Sequence, residues 1–393
     1  MSSVDSEGEL ILLVDDNPTN LQVLYGTLDG RGYQLRIAQS GEDAIDIARA
    51  ATPQLILLDI MMPPGIDGFE TLGRLKADPV TSGIPVIFLS ALDETEVKVK
   101  GLTLGAVDFV NKPFQAEEVI ARVSTHLTLH RLQRELEVRN EELVTANQRM
   151  KRDLEAAARV QAALLPDSLP DTARVQFAWR YRPCDELAGD ALGVQGIAED
   201  QVALYIVDVS GHGVPSSLLS VAVTRSLAPA GDVTQARTPA QIAARLNTLY
   251  PMADNGNHYF TMVYGTLDPG TGVFRYTAAG HPGPLVVTGT QPPSSHDLPA
   301  VPIGLLDDAE YEEAELVLKP GDRVYLYSDG LNEERNSEGE QFGRRRLEAA
   351  LAARFEQPLA EGIDAVLSEL ASWRGDDRFS DDLSIVAAEM LHP

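Results

Sequence analysis

Five short apolar runs, separated by amphipathic stretches, constrain the first third of this chain more than any other feature. Their length and their branched side chains predict strands, and the helical spacing between them predicts helices. Five consecutive strand–helix units predict an α/β domain over residues 1–125, with a doubly wound parallel sheet of five strands. The runs are Leu10–Val14, Gln34–Ala38, Leu55–Leu58, Val86–Ser90 and Phe109–Val110. The stretches between them are Asn20–Gly30, Gly41–Ala51, Gly68–Ala77, Glu94–Leu104 and Gln115–Leu129.

Residues 126–165 follow a different pattern, an apolar heptad without glycine that stops before Pro166. The pattern predicts a long helix that forms a parallel coiled coil, and so a homodimer. Arg139 and Asp153 interrupt the seam and leave open a solitary helix packed on a neighbouring domain. The seam consists of Leu129, Leu136, Leu143, Met150, Ala157 and Leu164, with Leu132, Ala146 and Val160 at the intermediate position.

Residues 166–393 change to strands of period two and glycine turns, which predicts an α+β domain with a large, mostly antiparallel sheet system. Gln291–Pro299 is predicted to be a polar, Pro-rich loop. The predicted strands are Val202–Val207, Phe260–Leu267, Val273–Ala278, Leu285–Val287, Arg323–Tyr327 and Leu383–Ala388. The predicted helices are Ser216–Leu227, Pro239–Tyr250, Gly343–Phe355 and Leu359–Trp373.

The charge balance limits the partners. Lysine and arginine number 32 against 59 acidic residues, a net charge of −27 that repels nucleic acid and anionic membranes. A single cysteine, Cys184, excludes intrachain disulfides and is predicted to be a small buried residue in a reducing compartment. Residues 1–10 lack a basic or apolar leader, and no apolar run approaches the roughly 18 residues of a membrane span. We therefore expect a cytoplasmic protein.

Polar side chains follow the strands of the first domain, at the sheet edge where ligands bind in open α/β folds. A buried carboxylate costs several kcal/mol unless it meets a cation or a phosphoryl group. Asp59 has the position of a phosphoacceptor, while Lys112 and Ser90 can bind phosphoryl oxygens. The predicted Mg²⁺ ligands are Asp15, Asp16 and the backbone carbonyl of Met61.

These residues resemble the receiver domain of two-component response regulators. The resemblance implies a histidine kinase or another phosphodonor as partner, and a switch in which Ser90 moves inward and Phe109 turns toward the core. We expect a fixed turn, with a cis bond, at Lys112-Pro113. The segment 63–68 is one residue longer than the family's usual turn. The matching motifs are Val14-Asp15-Asp16-Asn17, Asp59-Ile60-Met61-Met62-Pro63, Ser90-Ala91 and Phe109-Val110-Asn111-Lys112-Pro113-Phe114.

Four more aspartates lie in glycine-, serine- or aspartate-rich turns of the second half. Carboxylates without paired histidines or cysteines favour hard cations such as Mg²⁺ or Mn²⁺, and two such ions can activate a water and clamp a phosphate. They are Asp190, Asp208, Asp329 and Asp381.

Their order resembles the PP2C-type serine/threonine phosphatases of the sporulation protein E branch, which have a β-sandwich flanked by helices. The resemblance implies that the four aspartates are metal ligands together with the carbonyl of Val209, with Asp382 as an alternative to Asp381. It also implies hydrolysis of phosphoserine or phosphothreonine on an anti-sigma factor antagonist. Supporting motifs are Ala163–Pro166, Phe260–Tyr264, Ala278–Pro282, Pro302–Gly304 and Pro320–Asp322.

One departure keeps other functions open. Ala191-Leu192-Gly193 replaces two aromatic residues and a second acid that usually follow the Gly-Asp motif of the family. Some relatives are adaptors that deliver the stationary-phase sigma factor to a protease, and a dimer scaffold is a third possibility. His212, His258 and His281 are expected to be structural or to face the substrate, and His281 is the one expected to contact the cleft.

Overall fold

A computed structural model describes residues 8–91, 95–198, 201–231, 233, 238–289, 291–376 and 378–392. The chain divides into two compact units, Met1–Asn147 and Gln148–Pro393. Within the described ranges, every helix is too short or too polar to cross a bilayer.

The first unit contains a five-stranded parallel sheet in the order β2-β1-β3-β4-β5, which confirms the doubly wound α/β prediction. Separate hydrophobic clusters cover its two faces, and strands β3 and β4 are buried along their whole length. The strands are β1 Leu10–Val14, β2 Gln34–Ala38, β3 Leu55–Asp59, β4 Val86–Ser90 and β5 Asp108–Asn111. The helices are α1 Pro18–Leu28, α2 Gly41–Ala51, α3 Gly68–Ala77, α4 Thr95–Thr103 and α5 Ala116–Ala162.

Helix α5 is a single element of 47 residues that begins in the first unit and ends in the second. Its first turns bury Val119, Val123 and Leu127 against the sheet. From Arg131 to Asp153 every residue is exposed. The predicted long helix is thus present, and it is continuous with the last helix of the α/β domain.

The second unit is a sandwich of two antiparallel five-stranded sheets, in the orders β13-β10-β9-β8-β7 and β12-β11-β14-β15-β6. The inward faces of the sheets share one core, helices α6 and α7 cover one outer face, and α9 and α10 cover the other. The strands are β6 Val175–Arg182, β7 Ala191–Ala198, β8 Gln201–Val209, β9 Phe260–Leu267, β10 Val273–Ala279, β11 Leu285–Val287, β12 Ser294–Ser295, β13 Ala314–Val317, β14 Arg323–Tyr327 and β15 Leu383–Met390. The helices are α6 Val214–Leu227, α7 Pro239–Leu249, α8 Gly330–Glu333, α9 Arg344–Ala352 and α10 Leu359–Arg374.

Four strands of this sandwich were not predicted from the sequence: β6, β7, β12 and β13. Each is an edge strand of its sheet. An edge strand has one unpaired side open to solvent and tolerates glycine and charge, so its apolar pattern is weak. Strand β12 also lies inside the segment predicted to be a loop, Gln291–Pro299.

Candidate phosphoacceptor site and candidate metal cavity

The predicted acids of the first unit converge at the carboxyl ends of β1 and β3. These two strands are neighbours where the strand order reverses, the place where open α/β sheets bind ligands. Asp15 is fully buried and Asp59 is 5 % exposed. Single ligand atoms of Asp15, Asp16 and Asp59 all lie within 4.8 Å of one another, a spacing that fits one small divalent cation.

Lys112 lies against these acids. Its Nζ is 2.8 Å from Asp15 Oδ2 and 2.8 Å from Asp59 Oδ2. Burial raises the pKa of Asp59, while the hydrogen bond and charge of Lys112 act in the opposite direction. Burial acts to lower the pKa of Lys112, but the hydrogen bonds to Asp15 and Asp59 outweigh it and raise that pKa. The second oxygen of Asp59 accepts the Ile60 N–H at 2.8 Å.

The other predicted residues surround this site. Ser90 is buried at the end of β4, and its carbonyl accepts the Lys112 N–H at 2.8 Å. Phe109 is buried in this structure, with its ring centroid 5.6 Å from that of Phe88. The side chain of Met61 is exposed just after β3. The expected cis bond is present at Lys112-Pro113.

The lengthened segment ends at a close backbone contact. A Cβ atom on Gly68 would lie 2.3 Å from the carbonyl oxygen of Asp59, so only glycine fits there. Asp67 precedes it and caps α3 by accepting the Glu70 N–H at 2.8 Å. The extra residue is therefore absorbed between Pro63 and Ile66, and the start of α3 stays packed against the predicted phosphoacceptor.

The second unit contains an open cavity of about 590 Å³ between the ends of its strands. Asp208, Asp329 and Asp381 lie on its wall. Asp190 is buried and is not on the wall, but burial and then the charge of Asp208 raise the pKa of its carboxylate. The remaining wall consists of Cys184, Asp185, Val209, Ser210, Gly211, His212, Tyr259, Thr261, Phe379 and Ser380.

The acids of this cavity disfavour one another's ionised form. Burial, then Asp329 and Asp381, raises the pKa of Asp208 to about 7. Burial, then Asp381, raises the pKa of Asp329 to about 6. Burial, then Asp208, raises the pKa of Asp190 well above its usual range, although nearby serine hydroxyls act in the opposite direction. Carboxylates whose pKa is raised by burial and by neighbouring acids are typical of functional sites.

Two observations test whether a cation fits these residues. The Oδ2 atom of Asp190 is buried and has no hydrogen-bond donor among the described residues, which is costly for a charged oxygen without a metal. A Cβ atom on Gly189 would lie 3.1 Å from the carbonyl oxygen of Val209, so glycine lets that carbonyl approach the predicted ligands. The donor set is all oxygen, as Mg²⁺ and Mn²⁺ prefer. The four predicted ligands nevertheless do not form one tight group of the kind seen in the first unit.

Adjacent acids Asp381 and Asp382 have different surroundings. Asp381 faces the cavity, whereas the Asp382 carboxylate accepts backbone N–H groups from Cys184, Gly189 and Asp190. The Sγ atom of Cys184 lies within 4.8 Å of oxygens from both acids. Burial, then Asp382, raises the pKa of the Cys184 thiol to about 12, which disfavours its thiolate form. The prediction that Cys184 is buried is wrong, since it is half-buried on the cavity wall.

The departure after Asp190 has a packing explanation. Ala191-Leu192-Gly193 begins β7, and Leu192 points into the core between the sheets. A Cβ atom on Gly193 would lie 2.3 Å from the Tyr205 ring. These positions therefore serve the sandwich, and they offer no further acid to the cavity.

The three histidines differ from expectation in one case. His212 lines the cavity, and His258 Nδ1 donates to the Ser210 carbonyl at 2.6 Å. His281 is buried and lies off the cavity wall, so the prediction that it contacts the cleft is wrong. Burial lowers the pKa of His281 to about 4.

Sequence reasoning missed two residues that support the cavity. Gln161, in the last turn of α5, donates to the Ala188 carbonyl at 2.7 Å and accepts the Ala188 N–H at 3.2 Å. Glu334 is buried, pairs with Arg374 and accepts the Ser380 N–H at 2.5 Å, beside Asp381. No motif in the sequence predicts either contact, because each residue binds a loop that is distant in sequence.

Comparison with known proteins assigns both units to families. The family model of the response regulator receiver domain matches residues 11–124, and that of stage II sporulation protein E matches residues 198–391. Protein PilH of Pseudomonas aeruginosa is 38% identical over 117 residues, which are 30% of this chain and 96% of PilH. The chain belongs to the response regulator family, and its second half is a SpoIIE domain.

Two further comparisons define how far this assignment extends. Response regulator PleD of Caulobacter vibrioides is 42% identical over 113 residues, 29% of this chain, but the match spans only 25% of PleD. The second unit of this response regulator resembles the SiaA-PP2C domain of Pseudomonas aeruginosa, with a TM-score of 0.55 and 23% identity over 63% of this chain and 99% of that domain. The SpoIIE domain thus has the PP2C fold.

Proposed function

We propose that this response regulator is a metal-dependent protein serine/threonine phosphatase whose output is controlled by phosphorylation of Asp59. The observation that carries the proposal is the cavity where Asp208, Asp329 and Asp381 meet, and where burial and neighbouring acids raise the pKa of Asp208 and Asp329. Divalent cations held there, with the help of Asp190 and the Val209 carbonyl, would activate water and neutralise charge on a phosphate. The substrate would be a phosphorylated anti-sigma factor antagonist or a sigma factor.

Signal input would occur at the receiver. An oxygen of Asp59 would take the phosphoryl group from a histidine kinase or a small phosphodonor, and the donor would keep the bonding electrons. Lys112 would then pair with a phosphoryl oxygen, and the Ser90 hydroxyl would donate to another. Asp15, Asp16 and the Met61 carbonyl would hold Mg²⁺.

Residues 126–165 would transmit the signal from residues 1–125 to residues 166–393. Two features of α5 support this role. The segment from Arg131 to Asp153 is exposed along its whole length and has an apolar seam, which a second copy would cover in a coiled coil. The same helix ends in contact with Ala188, two residues before Asp190. A change in the geometry of the helix pair would thus reach the loop of a predicted metal ligand.

The test is the release of phosphate from a phosphorylated antagonist and from p-nitrophenyl phosphate, with and without Mn²⁺. We expect Asp208→Asn to lose more than about 100-fold in rate, beyond the range typical of losing an outer-shell partner. Asp308→Asn is the matched control, because Asp308 is an exposed acid off the cavity wall. Acetyl phosphate should change the rate of the wild type and leave Asp59→Asn unaffected. Equal rates for wild type and Asp208→Asn would refute the proposal.

The absence of an acid in Ala191-Leu192-Gly193 favours one rival, a non-catalytic adaptor that binds a sigma factor and delivers it for proteolysis. The adaptor predicts no Mn²⁺-dependent turnover on either substrate and direct binding of the sigma factor. Measuring both quantities on one preparation separates the two functions.

A further inference from the structure

Asp382 is a buried carboxylate that the proposed function does not use. It is 5 % exposed and precedes β15. Its Oδ1 accepts the Cys184 N–H at 2.9 Å, and its Oδ2 accepts the N–H groups of Gly189 at 2.8 Å and Asp190 at 3.2 Å. Three charge-assisted hydrogen bonds occupy most of the acceptor capacity of one carboxylate.

These bonds close a loop onto a distant strand. The loop from Cys184 to Asp190 precedes β7 in one sheet, while Asp382 precedes β15 in the other sheet. The Asp382 carboxylate therefore joins the ends of the two sheets at the cavity. The Tyr181 hydroxyl also donates to the Asp190 carbonyl at 3.2 Å, so the backbone of Asp190 is held from two sides.

Asp381 and Asp382 divide two tasks. The two residues lie just before β15 and point to different sides, since Asp381 faces the cavity while Asp382 faces the loop. We propose that Asp382 is a positioning residue, which ligates no ion and holds the Cys184–Asp190 loop so that the Asp190 carboxylate stays beside Asp208. The proposal rests on the cavity binding the divalent cations of the proposed function.

The test is Mn²⁺ binding by calorimetry, on full chains in which Asp16→Asn silences the receiver site. The substitution Asp382→Asn keeps the shape of the side chain, but its NH2 group cannot accept an N–H, so only one of the two accepting oxygens remains. We expect this variant to bind Mn²⁺ about 10- to 100-fold more weakly, as is usual when a residue that holds metal ligands in place is lost. Excess Mn²⁺ should restore its phosphatase rate, because every ligand remains. Asp381→Asn should not be restored.

The outcomes separate this role from the phosphatase itself. A folded Asp382→Asn protein with the Mn²⁺ isotherm of its parent would overturn the positioning role. With a parent that hydrolyses phosphoprotein, a variant whose phosphatase rate excess Mn²⁺ does not restore would overturn it too. A parent that binds Mn²⁺ without hydrolysing phosphoprotein would refute the function and leave the positioning role standing. A parent without a Mn²⁺ site in the SpoIIE domain would refute both the proposed function and the positioning role.

A second measurement needs no variant. The amide hydrogens of Cys184, Gly189 and Asp190 should exchange slowly in the wild-type chain, because each is bonded to Asp382. Hydrogen exchange followed by mass spectrometry of the segment 183–191 reports this directly. Exchange at the rate of an open loop would overturn the proposal even if Asp382→Asn failed to fold.

Discussion

Acids around the cavity of the second unit have contrasting surroundings. Asp382 is surrounded by backbone N–H groups that offset its charge. For Asp208 and Asp190, burial and then the charges of other acids raise the pKa. A fold that retains uncompensated acids gives up stability at those positions, which is typical of sites that a ligand completes.

Asp208→Asn should therefore stabilise the metal-free SpoIIE domain at high pH. The folded pKa of Asp208 is raised from 3.8 to about 7, so the folded state binds more protons than the unfolded state between these values. Stability falls as pH rises through that window, and asparagine avoids the loss. We expect a gain of a few kcal/mol at pH 8 that disappears near pH 4.

Urea unfolding in the presence of a chelator measures this gain. Both tryptophans of the chain, Trp179 and Trp373, lie in the second unit, so their fluorescence follows this unit alone. Asp308→Asn serves as the control and should change little. An Asp208→Asn protein no more stable than wild type at pH 8 would contradict the argument.

His281 should make the same domain acid-sensitive. Burial lowers its folded pKa from 6.5 to about 4, so the unfolded state binds the extra proton. The contribution of His281 is complete above pH 6.5 and is lost as pH falls toward 4, by roughly 3 kcal/mol. His281→Asn cannot take up the proton. Its unfolding free energy should fall less than that of wild type between pH 7.5 and pH 4.5, in the same fluorescence assay. Unfolding free energies of wild type and His281→Asn that fall in parallel with pH would contradict this prediction.

At the scale of elements, the loop from Cys184 to Asp190 connects the long helix to the cavity. The side-chain amide of Gln161 in α5 donates to the Ala188 carbonyl and accepts the Ala188 N–H, and Asp382, just before β15, accepts the neighbouring N–H groups. One short loop is thus held by a helix that originates in the receiver and by a strand of the SpoIIE domain. It is the element through which helix α5 would act on metal binding.

The substitution Gln161→Leu should uncouple helix α5 from metal binding at the cavity. Leucine keeps the helix propensity but is shorter and loses both bonds to Ala188, a cost of about 1–3 kcal/mol when buried partners are left unpaired. We expect Mn²⁺ affinity to fall by about tenfold and the response to acetyl phosphate to vanish. Gln148→Leu, an exposed glutamine of the same helix, is the matched control. A Gln161→Leu protein that responds like wild type would exclude this route.

At the scale of the whole molecule, helix α5 exposes apolar side chains that no contact within a single chain covers in the described residues. Large apolar side chains along its seam are more than half exposed, among them Leu136 and Leu143 at 69% each. An isolated helix with such a stripe is marginal in water, because helices depend on packing for most of their stability. A partner helix is therefore expected.

Leu136→Lys combined with Leu143→Lys should convert a dimer into a monomer, because charges would face each other in the seam. Light scattering of the full chain over a concentration series measures the mass. Val138→Lys with Val144→Lys is the matched control, since these valines are 55% and 50% exposed but lie off the seam. A wild-type chain that is monomeric with and without acetyl phosphate would contradict the predicted dimer. A control pair that dissociates the dimer equally well would contradict the prediction that the seam is its interface.

The sequence by itself determined the two folds and predicted the acids of both candidate sites. Central strands such as β3 and β4 are buried on both faces and are visible as apolar runs, and an aspartate at the end of such a run is marked by its own neighbours. These signals are local, since they depend on backbone periodicity and on a few adjacent residues.

Only the tertiary structure decided which surfaces those residues share. The four edge strands were not predicted because each pairs with a neighbour along one side only. The other side is open to solvent, so its apolar pattern in the sequence is weak. The different tasks of Asp381 and Asp382, the contact of Gln161 with Ala188, and the burial of His281 away from the cavity likewise left no pattern in the chain. Each depends on a contact across the fold, such as that between Asp382 and Gly189, which are 193 residues apart. Periodicity specifies the direction of a side chain within its element, but packing between elements determines what it meets.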